Sequence, residues 1–563
     1  MACRAGVRFR RYDRARGLQS HRPAARGPNR RRVASWPPFR RAARGAKRHG
    51  SGSDRGDARA LSIQPLLEYV RRAPGDRASV IRLAEAALDG GREDEALSAV
   101  LEGARRAPRD PRLWQWVGLL HRGLDDREAA IEALSRAAEL APRDASIAHG
   151  RARTTMEAGR PAVALFEEAR RLAPLDGTVL LGLAAARLGE GDAASAEALL
   201  DSLLTENPGW LPGHHDLSQL RWMMGDLDGF TASFERALEA APGDVALWQA
   251  YLIALIHAER FEQAMSVIAR ARRRVGNAPF LDANEATIHS EVGRVAAADA
   301  CFTRLSGIRD VTLAGRSIRH RMRTGRIELA AAEIETWLDT PEGGLIWPYA
   351  GTAWRLLGDP RWNWLEGDPA LIGVIDLADQ LPSLDRLAET LRGLHRSRHQ
   401  HLDQSVRNGT QTDGALLSRI EPEIRQLRAA IVQAVADYVG RLPEQDPRHP
   451  TLRARRDRPA RFAGSWSVRL KGAGYHANHF HSAGWLSSAL YVALPDRNDD
   501  PADAGFLRLG EPQAELGLDC PPVRSVEPKP GRLVLFPSTM WHGTVPFSAG
   551  ERLTVAFDVL QPT

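Results

Sequence analysis

The sequence is poor in lysine and cysteine and lacks any long apolar run. Its only cysteines, Cys3, Cys301 and Cys520, lie far apart, which excludes a disulfide framework and a zinc knuckle. We therefore expect a reducing, cytoplasmic location. The longest apolar runs are broken by Arg, Asp or Gly well before the roughly 18 residues that a transmembrane helix requires. The sequence thus predicts no membrane span.

Length and composition predict a multidomain globular protein. The chain has 563 residues, more than one hydrophobic core normally organises. Hydrophobic residues make up 43% and charged residues 26%, which is typical of a folded domain and unlike a disordered chain.

Residues 1 to 60 differ from the rest of the chain in charge. They contain 18 Arg or Lys and three Asp, a net +15, so the total of +7 leaves −8 for the other 503 residues. We predict a disordered Arg-rich tail. A nucleic-acid arm or a targeting peptide would fit it. We favour an inert tail, or an upstream start codon in a GC-rich coding sequence, since nearly all basic residues are Arg. For the acidic folded part a nucleic-acid partner is not expected.

A repeat occupies residues 61 to 340. Prolines of an "AP-x-D" or "NPG" type recur with spacings of 34, 34, 32, 34 and 34, at Pro74, Pro108, Pro142, Pro174, Pro208 and Pro242. Small residues recur in the same register, at Ala96, Ala130, Ala162, Ala196 and Ala264, with Phe230 as the exception, and at Gly118, Gly150 and Gly182. A small residue lets paired helices approach closely, and proline ends a helix because it lacks an N–H.

This period and pattern resemble the tetratricopeptide repeat. The resemblance implies seven or eight helical hairpins stacked into an α-α superhelix, degenerate after about residue 275. Such a superhelix has a concave groove, which implies a protein or peptide partner and no chemistry of its own.

Residues 341 to 462 are predicted to form a helical linker that flanks the next domain. The segment opens with Trp-rich turns, and Leu416 to Val439 has apolar residues at helical spacing. In residues 463 to 563, apolar and polar residues alternate with a period of two in short runs that Pro and Gly separate. These runs are "GSWSVRL", "LSSALYVAL", "GFLRLG", "GRLVLFPS" and "RLTVAFDV". They predict a double-stranded β-helix, the jelly-roll barrel whose open mouth can hold a metal.

Candidate metal ligands lie in two segments of this barrel. His479 and His481 are two residues apart, so a strand would project both from one face, where they could converge on a cation. The segment "GRLVLFPSTMWHGTVPF" brings His542 onto the end of a later strand, about sixty residues on. Arg552 and Thr554 share one face of the last strand, opposite the apolar row that begins at Leu553.

The pattern "HxH … YV … G-x-LVLFPS-x-x-x-H … R-x-T" resembles the iron(II)/2-oxoglutarate oxygenase superfamily, and residues 340 to 560 are similar to a bacterial subgroup that couples it to tetratricopeptide repeats. The resemblance implies iron(II), 2-oxoglutarate and dioxygen as cofactor and co-substrates. It implies His479, His481 and His542 as metal ligands, and Arg552, Thr554 and Tyr491 as contacts of the 2-oxoglutarate C5 carboxylate.

His481 departs from the superfamily pattern, which has a carboxylate at this position. Either the metal has three histidine ligands, or His481 lies behind the ligands and a carboxylate such as Asp496 replaces it. His476 is a weaker alternative ligand, because it falls on the opposite face unless the strand bulges.

Other polar and aromatic residues near the barrel have more ordinary interpretations. His395, His399 and His401 have metal-like spacing, but we expect a solvated helix face because carboxylate and Cys ligands are missing there. Residues 404 to 414 fit either a loop over the barrel mouth or a plain surface loop. Trp485 and Trp541 are expected to serve packing.

Three functions remain open. The first is a dioxygenase, a hydroxylase whose repeats recruit the substrate. The second is a scaffold with a degenerate barrel, which the replacement at His481 would favour. The third is a three-histidine, cupin-like metal enzyme that does not use 2-oxoglutarate. Arg552 and Thr554 argue against the third, since it needs no binding site for a distal carboxylate.

Overall fold

The protein is described by a computed structural model that covers residues 63–402, 404–496 and 500–562. The predicted tail, residues 1 to 60, lies outside the described residues. The described chain begins with α1 and eight consecutive helix pairs, which form the predicted superhelix. Their bounds are α1 Gln64–Arg72, α2 Arg77–Gly90, α3 Glu93–Arg106, α4 Pro111–Gly123, α5 Arg127–Leu140, α6 Ala145–Glu157, α7 Val163–Leu172, α8 Gly177–Gly189, α9 Ala193–Glu206, α10 Leu211–Met224, α11 Ala232–Ala240, α12 Val245–His257, α13 Phe261–Val275, α14 Pro279–Glu291, α15 Val295–Arg304, α16 Val311–Arg323 and α17 Ile327–Glu335.

The Pro-x-Asp signature marks the turn from one hairpin to the next. The proline lies in the turn, and the aspartate two residues later is the N-cap of the following helix. Asp110 is representative, since its carboxylate accepts from the amide of Arg112 at 2.9 Å. The same capping is made by Asp76, Asp144, Asp176 and Asp244. This bond satisfies an amide that the helix itself cannot pair.

Small residues at the repeat positions allow close packing within and between hairpins. The five periodic alanines are at most 2% exposed. At Gly182 a methyl group would lie 2.2 Å from Cε1 of Phe166, and at Gly118 it would lie 2.6 Å from Cγ of Leu134. Both contacts are shorter than van der Waals distance, so a larger residue would separate the helices.

The C-terminal half adds three long helices and two antiparallel sheets. The helices are α18 Trp347–Leu357, α19 Leu384–Leu394 and α20 Pro422–Arg441; the strands are β1 Gly373–Asp376, β2 Val406–Gln411, β3 Phe462–His476, β4 Leu486–Ala493, β5 Leu507–Leu509, β6 Arg524–Val526, β7 Arg532–Pro537, β8 His542–Thr544 and β9 Glu551–Val559. One sheet has the order β1-β7-β4-β9-β3-β2 and the other β6-β5-β8. This arrangement is consistent with the predicted jelly roll.

Two details of this half differ from the sequence prediction. The helix expected from Leu416 begins at Pro422, because proline fits the first turn of a helix and residues 416–418 form a separate 3-10 turn. The sheet also takes β1 and β2 from the region predicted as a helical linker, so residues 404–414 contain a strand rather than a loop. The apolar face of α20 belongs to the same buried core as Leu553, Val555 and Phe557 of β9.

The barrel half packs along one edge of the superhelix. The turns inside the hairpins form this edge. Arg458 pairs with Asp94 and Glu95, both at 2.7 Å, in the first complete pair. Further contacts follow at intervals of one or two repeats. The amide of Ile420 donates to the carbonyl of Ala158 at 3.2 Å, the amide of Arg398 donates to the carbonyl of Met223 at 2.9 Å, and Arg407 pairs with Glu259 at 3.1 Å. The hairpins are therefore a support for the barrel along much of their length.

Within the described residues, no helix is both long enough and apolar enough to cross a membrane.

Candidate metal centre

The three candidate histidines lie where two irregular segments of the barrel meet. His479 follows the end of β3, and His542 is the first residue of β8. The two form an isolated antiparallel bridge with reciprocal backbone hydrogen bonds of 2.9 and 2.8 Å. His481 is held by its amide, which donates to the carbonyl of Ser538 at 2.9 Å. The predicted common strand for His479 and His481 is therefore wrong, since the chain leaves the sheet at His476.

The side chains of His479, His481 and His542 nevertheless converge. One ring nitrogen from each lies within 4.8 Å of the other two, and the three residues are 6–7% exposed. The ring centres are 4.1 Å apart for His479 and His542, and 5.0 Å for each pair with His481. Among the described residues, this is the one group of three or more side chains that could hold a metal ion together.

Hydrogen bonds fix the orientation of all three rings. Nδ1 of His479 lies 2.8 Å from the carbonyl of Ala477, and Nδ1 of His542 lies 3.0 Å from that of Met540. Nδ1 of His481 lies 2.7 Å from Oδ1 of Asp558. Because each acceptor is an oxygen, the proton belongs on Nδ1 and Nε2 keeps its lone pair. Metal-binding histidines are held in this way, so the donor set fits a cation.

Burial favours the uncharged forms of His479 and His542. It lowers the pKa of His542 to about 3, with His481 as the second cause, and places the pKa of His479 well below its ordinary value. A neutral imidazole is the form that binds a metal.

The alternative ligands lie outside this group. His476 stacks on His479 with ring centres 6.0 Å apart, and burial lowers its pKa to about 3. Its Nδ1 lies 3.1 Å from Oγ of Ser405, which also lies 3.2 Å from Nε2 of His479. Asp496 is exposed beyond the end of β4.

The cluster of His395, His399 and His401 is not a solvated helix face, because α19 ends at Leu394. His395 Nδ1 lies 2.8 Å from the hydroxyl of Thr410, and His401 is 9% exposed and 3.3 Å from Asp413. The segment docks on the repeats through Arg398 and His399, whose amides donate to the carbonyl of Met223.

The candidate co-substrate residues lie together inside the barrel. Tyr491 of β4 and Thr554 of β9 are cross-strand partners, and Arg552 precedes Thr554 on the same face. Tyr491 and Arg552 are 0% and 2% exposed. The Arg552 guanidinium donates to the carbonyl of Gly505 at 2.9 Å and lies over the Tyr491 ring. Burial raises the pKa of the Tyr491 hydroxyl, and Arg552 opposes that shift.

Sequence reasoning missed several polar side chains around the triad. Asp558 contacts His481, and Ser487 donates to Asp558 at 2.7 Å and lies 2.9 Å from Ser538. Asp558 could have been found, because residues 552, 554 and 558 have the same parity on one strand. Ser405 could not, since its approach to His479 depends on a long-range strand pairing.

Trp485 and Trp541 are packing residues. Both are at most 5% exposed and donate to backbone carbonyls, Trp485 to Thr451 at 2.8 Å and Trp541 to Pro348 at 3.0 Å.

None of the curated proteins matches the chain. Among solved structures, a tetratricopeptide repeat protein from Parabacteroides merdae is 16% identical, covers 42% of this chain and 95% of its own, and has a TM-score of 0.28. A thermophilic TPR protein of Thermus thermophilus is 22% identical, with coverages of 35% and 100% and a TM-score of 0.23. YrrB, a TPR protein with an unusual peptide-binding site, is 18% identical. It covers 33% of this chain and 97% of its own, and its TM-score is 0.23.

These TM-scores are low, so we base the repeat architecture on the hairpins themselves and on the match of residues 111–144 to the family "Tetratricopeptide repeat". Residues 464–558, which contain the three histidines and Arg552, match the family "Putative 2OG-Fe(II) oxygenase". The chain thus combines tetratricopeptide repeats with a C-terminal domain of the 2OG-Fe(II) oxygenase type.

Proposed function

We propose that the protein is an iron(II)- and 2-oxoglutarate-dependent dioxygenase that hydroxylates a protein or peptide partner recruited by its repeats. The observation that supports this best is the convergence of one ring nitrogen from each of three histidines, all with a hydrogen bond at Nδ1, in the same barrel as the buried Arg552. Iron bound there, with 2-oxoglutarate and dioxygen, supplies the oxidation that inserts oxygen into a C–H bond and releases succinate and carbon dioxide.

His479, His481 and His542 would hold the iron and leave coordination positions for the co-substrates. Arg552 would bind the far carboxylate of 2-oxoglutarate, because its planar guanidinium pairs with a carboxylate bidentately and keeps its charge. Tyr491 and Thr554 would place hydroxyl groups beside the same carboxylate. Since all of these side chains are buried, water is largely excluded from the site.

A scaffold with a degenerate barrel is the second candidate, and His481 in place of a carboxylate favours it. Against it, ring nitrogens of the three buried imidazoles lie within 4.8 Å of one another, and nitrogens that present lone pairs form no hydrogen bonds among themselves. The Ser405 hydroxyl can donate to one of them, Nε2 of His479. A metal would bind all three, which gives their convergence a purpose that a scaffold lacks. A cupin-like enzyme that does not use 2-oxoglutarate leaves the buried Arg552 without a role.

The repeats would recruit the partner on their concave surface, because the edge formed by the hairpin turns is covered by the barrel. Stacked helical hairpins generally offer such a surface for protein interaction. Once a substrate is known, it should crosslink to the first helices of the hairpins, such as α4, α6 and α8, in the full-length protein. Crosslinks confined to the barrel would contradict recruitment by the repeats.

Formation of the ternary complex tests the enzymatic proposal. Full-length protein loaded anaerobically with iron(II) should develop a metal-to-keto-acid charge-transfer band on addition of 2-oxoglutarate. A scaffold would bind no iron, and a cupin-like enzyme would bind iron but give no band.

A further inference from the structure

One histidine of the triad has a charged partner. Oδ1 of Asp558 lies 2.7 Å from Nδ1 of His481, and both residues are buried, at 2% and 6% exposure. The Nδ1 atoms of His479 and His542 instead face neutral backbone carbonyls. The triad is therefore asymmetric: its carboxylate lies behind His481, the position at which the superfamily pattern has a carboxylate ligand.

The Asp558 carboxylate is itself fixed. Ser487 of β4 donates to the same Oδ1 at 2.7 Å, and its hydroxyl lies 2.9 Å from that of Ser538. Asp558 and Ser487 are register partners on β9 and β4. Because two strands of one sheet hold the pair, the carboxylate has little freedom to turn away from His481.

Charge gives this arrangement a consequence for metal binding. Three neutral imidazoles leave a buried divalent cation with its full charge, whereas the usual two-histidine, one-carboxylate set neutralises part of it. A carboxylate that accepts the Nδ1 proton makes the imidazole a stronger donor and brings a negative charge close to the cation. The effect is large at a site with little water.

We propose that Asp558 is a positioning residue of the metal centre: through His481 it supplies the negative charge that a carboxylate ligand would supply directly. This inference rests on the proposed function only insofar as the triad binds a metal. It predicts that one negative charge, at either position 481 or position 558, is enough for metal binding. A carboxylate at both positions should weaken binding.

The test is metal affinity in the full-length protein, measured by anaerobic titration with iron(II) and with cobalt(II). Asp558→Asn keeps the shape and an acceptor oxygen but removes the charge. It should weaken binding of both metals about 10- to 100-fold and shift the visible cobalt bands, because the donor strength of His481 changes. Glu551→Gln is the matched control, since it removes a charge from the same strand beside Arg392 and Arg469. It should leave affinity and spectrum unchanged.

Asp558→Asn should have the opposite effect on metal affinity in a protein that already carries His481→Asp. His481→Asp places a carboxylate beside Asp558, and the two like charges should repel. Adding Asp558→Asn to His481→Asp should therefore raise cobalt affinity several-fold, although the same change lowers it in the native sequence. A purely structural role would lower affinity in both backgrounds.

The outcomes separate this inference from the proposed function. If the native protein binds neither metal, the metal centre itself is wrong. If the native protein binds and Asp558→Asn binds equally well with an unchanged cobalt spectrum, only the role of Asp558 is overturned. The absence of any gain from Asp558→Asn in the His481→Asp background would likewise overturn it.

Discussion

The guanidinium carbon of Arg552 lies 5.0 Å from the centre of the Tyr491 ring, and neither side chain is more than 2% exposed. Burying a guanidinium is costly unless other groups compensate its charge and hydrogen bonds. Here the ring face of Tyr491 and the carbonyl of Gly505, which accepts from Arg552 at 2.9 Å, are among the groups that do so. Under the proposed function the same guanidinium would bind the far carboxylate of 2-oxoglutarate, because its planar shape allows a bidentate pair.

Replacing Arg552 should mainly affect the co-substrate. Arg552→Ala should raise the 2-oxoglutarate concentration needed for half-maximal succinate formation about 30-fold or more, since a buried carboxylate without its partner costs about 2–5 kcal/mol. Arg552→Lys should recover part of this loss, because it restores the charge without the bidentate geometry. Arg469→Ala, which removes a cation from β3, should have no such effect. An unchanged requirement in both Arg552 variants would place the keto-acid elsewhere.

Iron binding should depend on the triad and not on its neighbour His476. His479→Ala and His542→Ala should each abolish stoichiometric iron after anaerobic loading and desalting, while circular dichroism stays native. His476→Ala should retain iron, although its ring stacks on His479. The reverse pattern, with iron lost only in His476→Ala, would assign the metal to a different set.

Local sequence patterns predicted much of this architecture and less of its site. Prolines such as Pro108 and caps such as Asp110 act within a few residues, so the repeat could be read from spacing alone. The alternation around Arg552 and Thr554 revealed the inward face of β9 for the same reason. The strand assumed for His479 and His481 was wrong because the sheet ends earlier, at a point set by pairing with distant strands.

The docking of the barrel on the repeats could not be predicted, because it joins residues hundreds of positions apart. Its stability is testable at Glu93, whose side chain is 3% exposed and pairs with Arg461. Glu93→Gln should lower the free energy of unfolding by about 1–3 kcal/mol in urea titrations, since it leaves Arg461 without its ion-pair partner in a largely buried contact. Glu102→Gln breaks the exposed pair with Arg106 and should cost at most about 0.5 kcal/mol. Equal effects would mean that the docking contact does not stabilise the fold.

Glu366 should make stability depend on pH with an unusual sign. It lies in a π-helical turn, Asn363–Gly367, against Gly351 of α18, and burial raises its pKa to about 8, opposed by Arg355. The folded state therefore keeps a proton that the unfolded state releases above about pH 4.5. The protonated Glu366 therefore makes its full contribution to the free energy of unfolding below about pH 4.5. That contribution falls by about 1.4 kcal/mol per pH unit as the pH rises towards 8.

Glu366→Gln removes this titration while keeping the shape. From pH 5.5 to 7.5 the variant should gain about 2–3 kcal/mol relative to the native protein in urea titrations, corresponding to two pH units at that slope. Parallel pH profiles for the two proteins would show that Glu366 is ionised in the folded state.

The proposed function requires that one barrel hold iron through three histidines and 2-oxoglutarate through Arg552. The most direct measurement is an anaerobic absorption titration of the iron-loaded full-length protein with 2-oxoglutarate, followed by admission of oxygen and quantification of succinate. We predict a charge-transfer band that saturates at one equivalent, decays on oxygenation with release of succinate, and is absent in His542→Ala. Iron binding without a charge-transfer band and without succinate would contradict the proposed function.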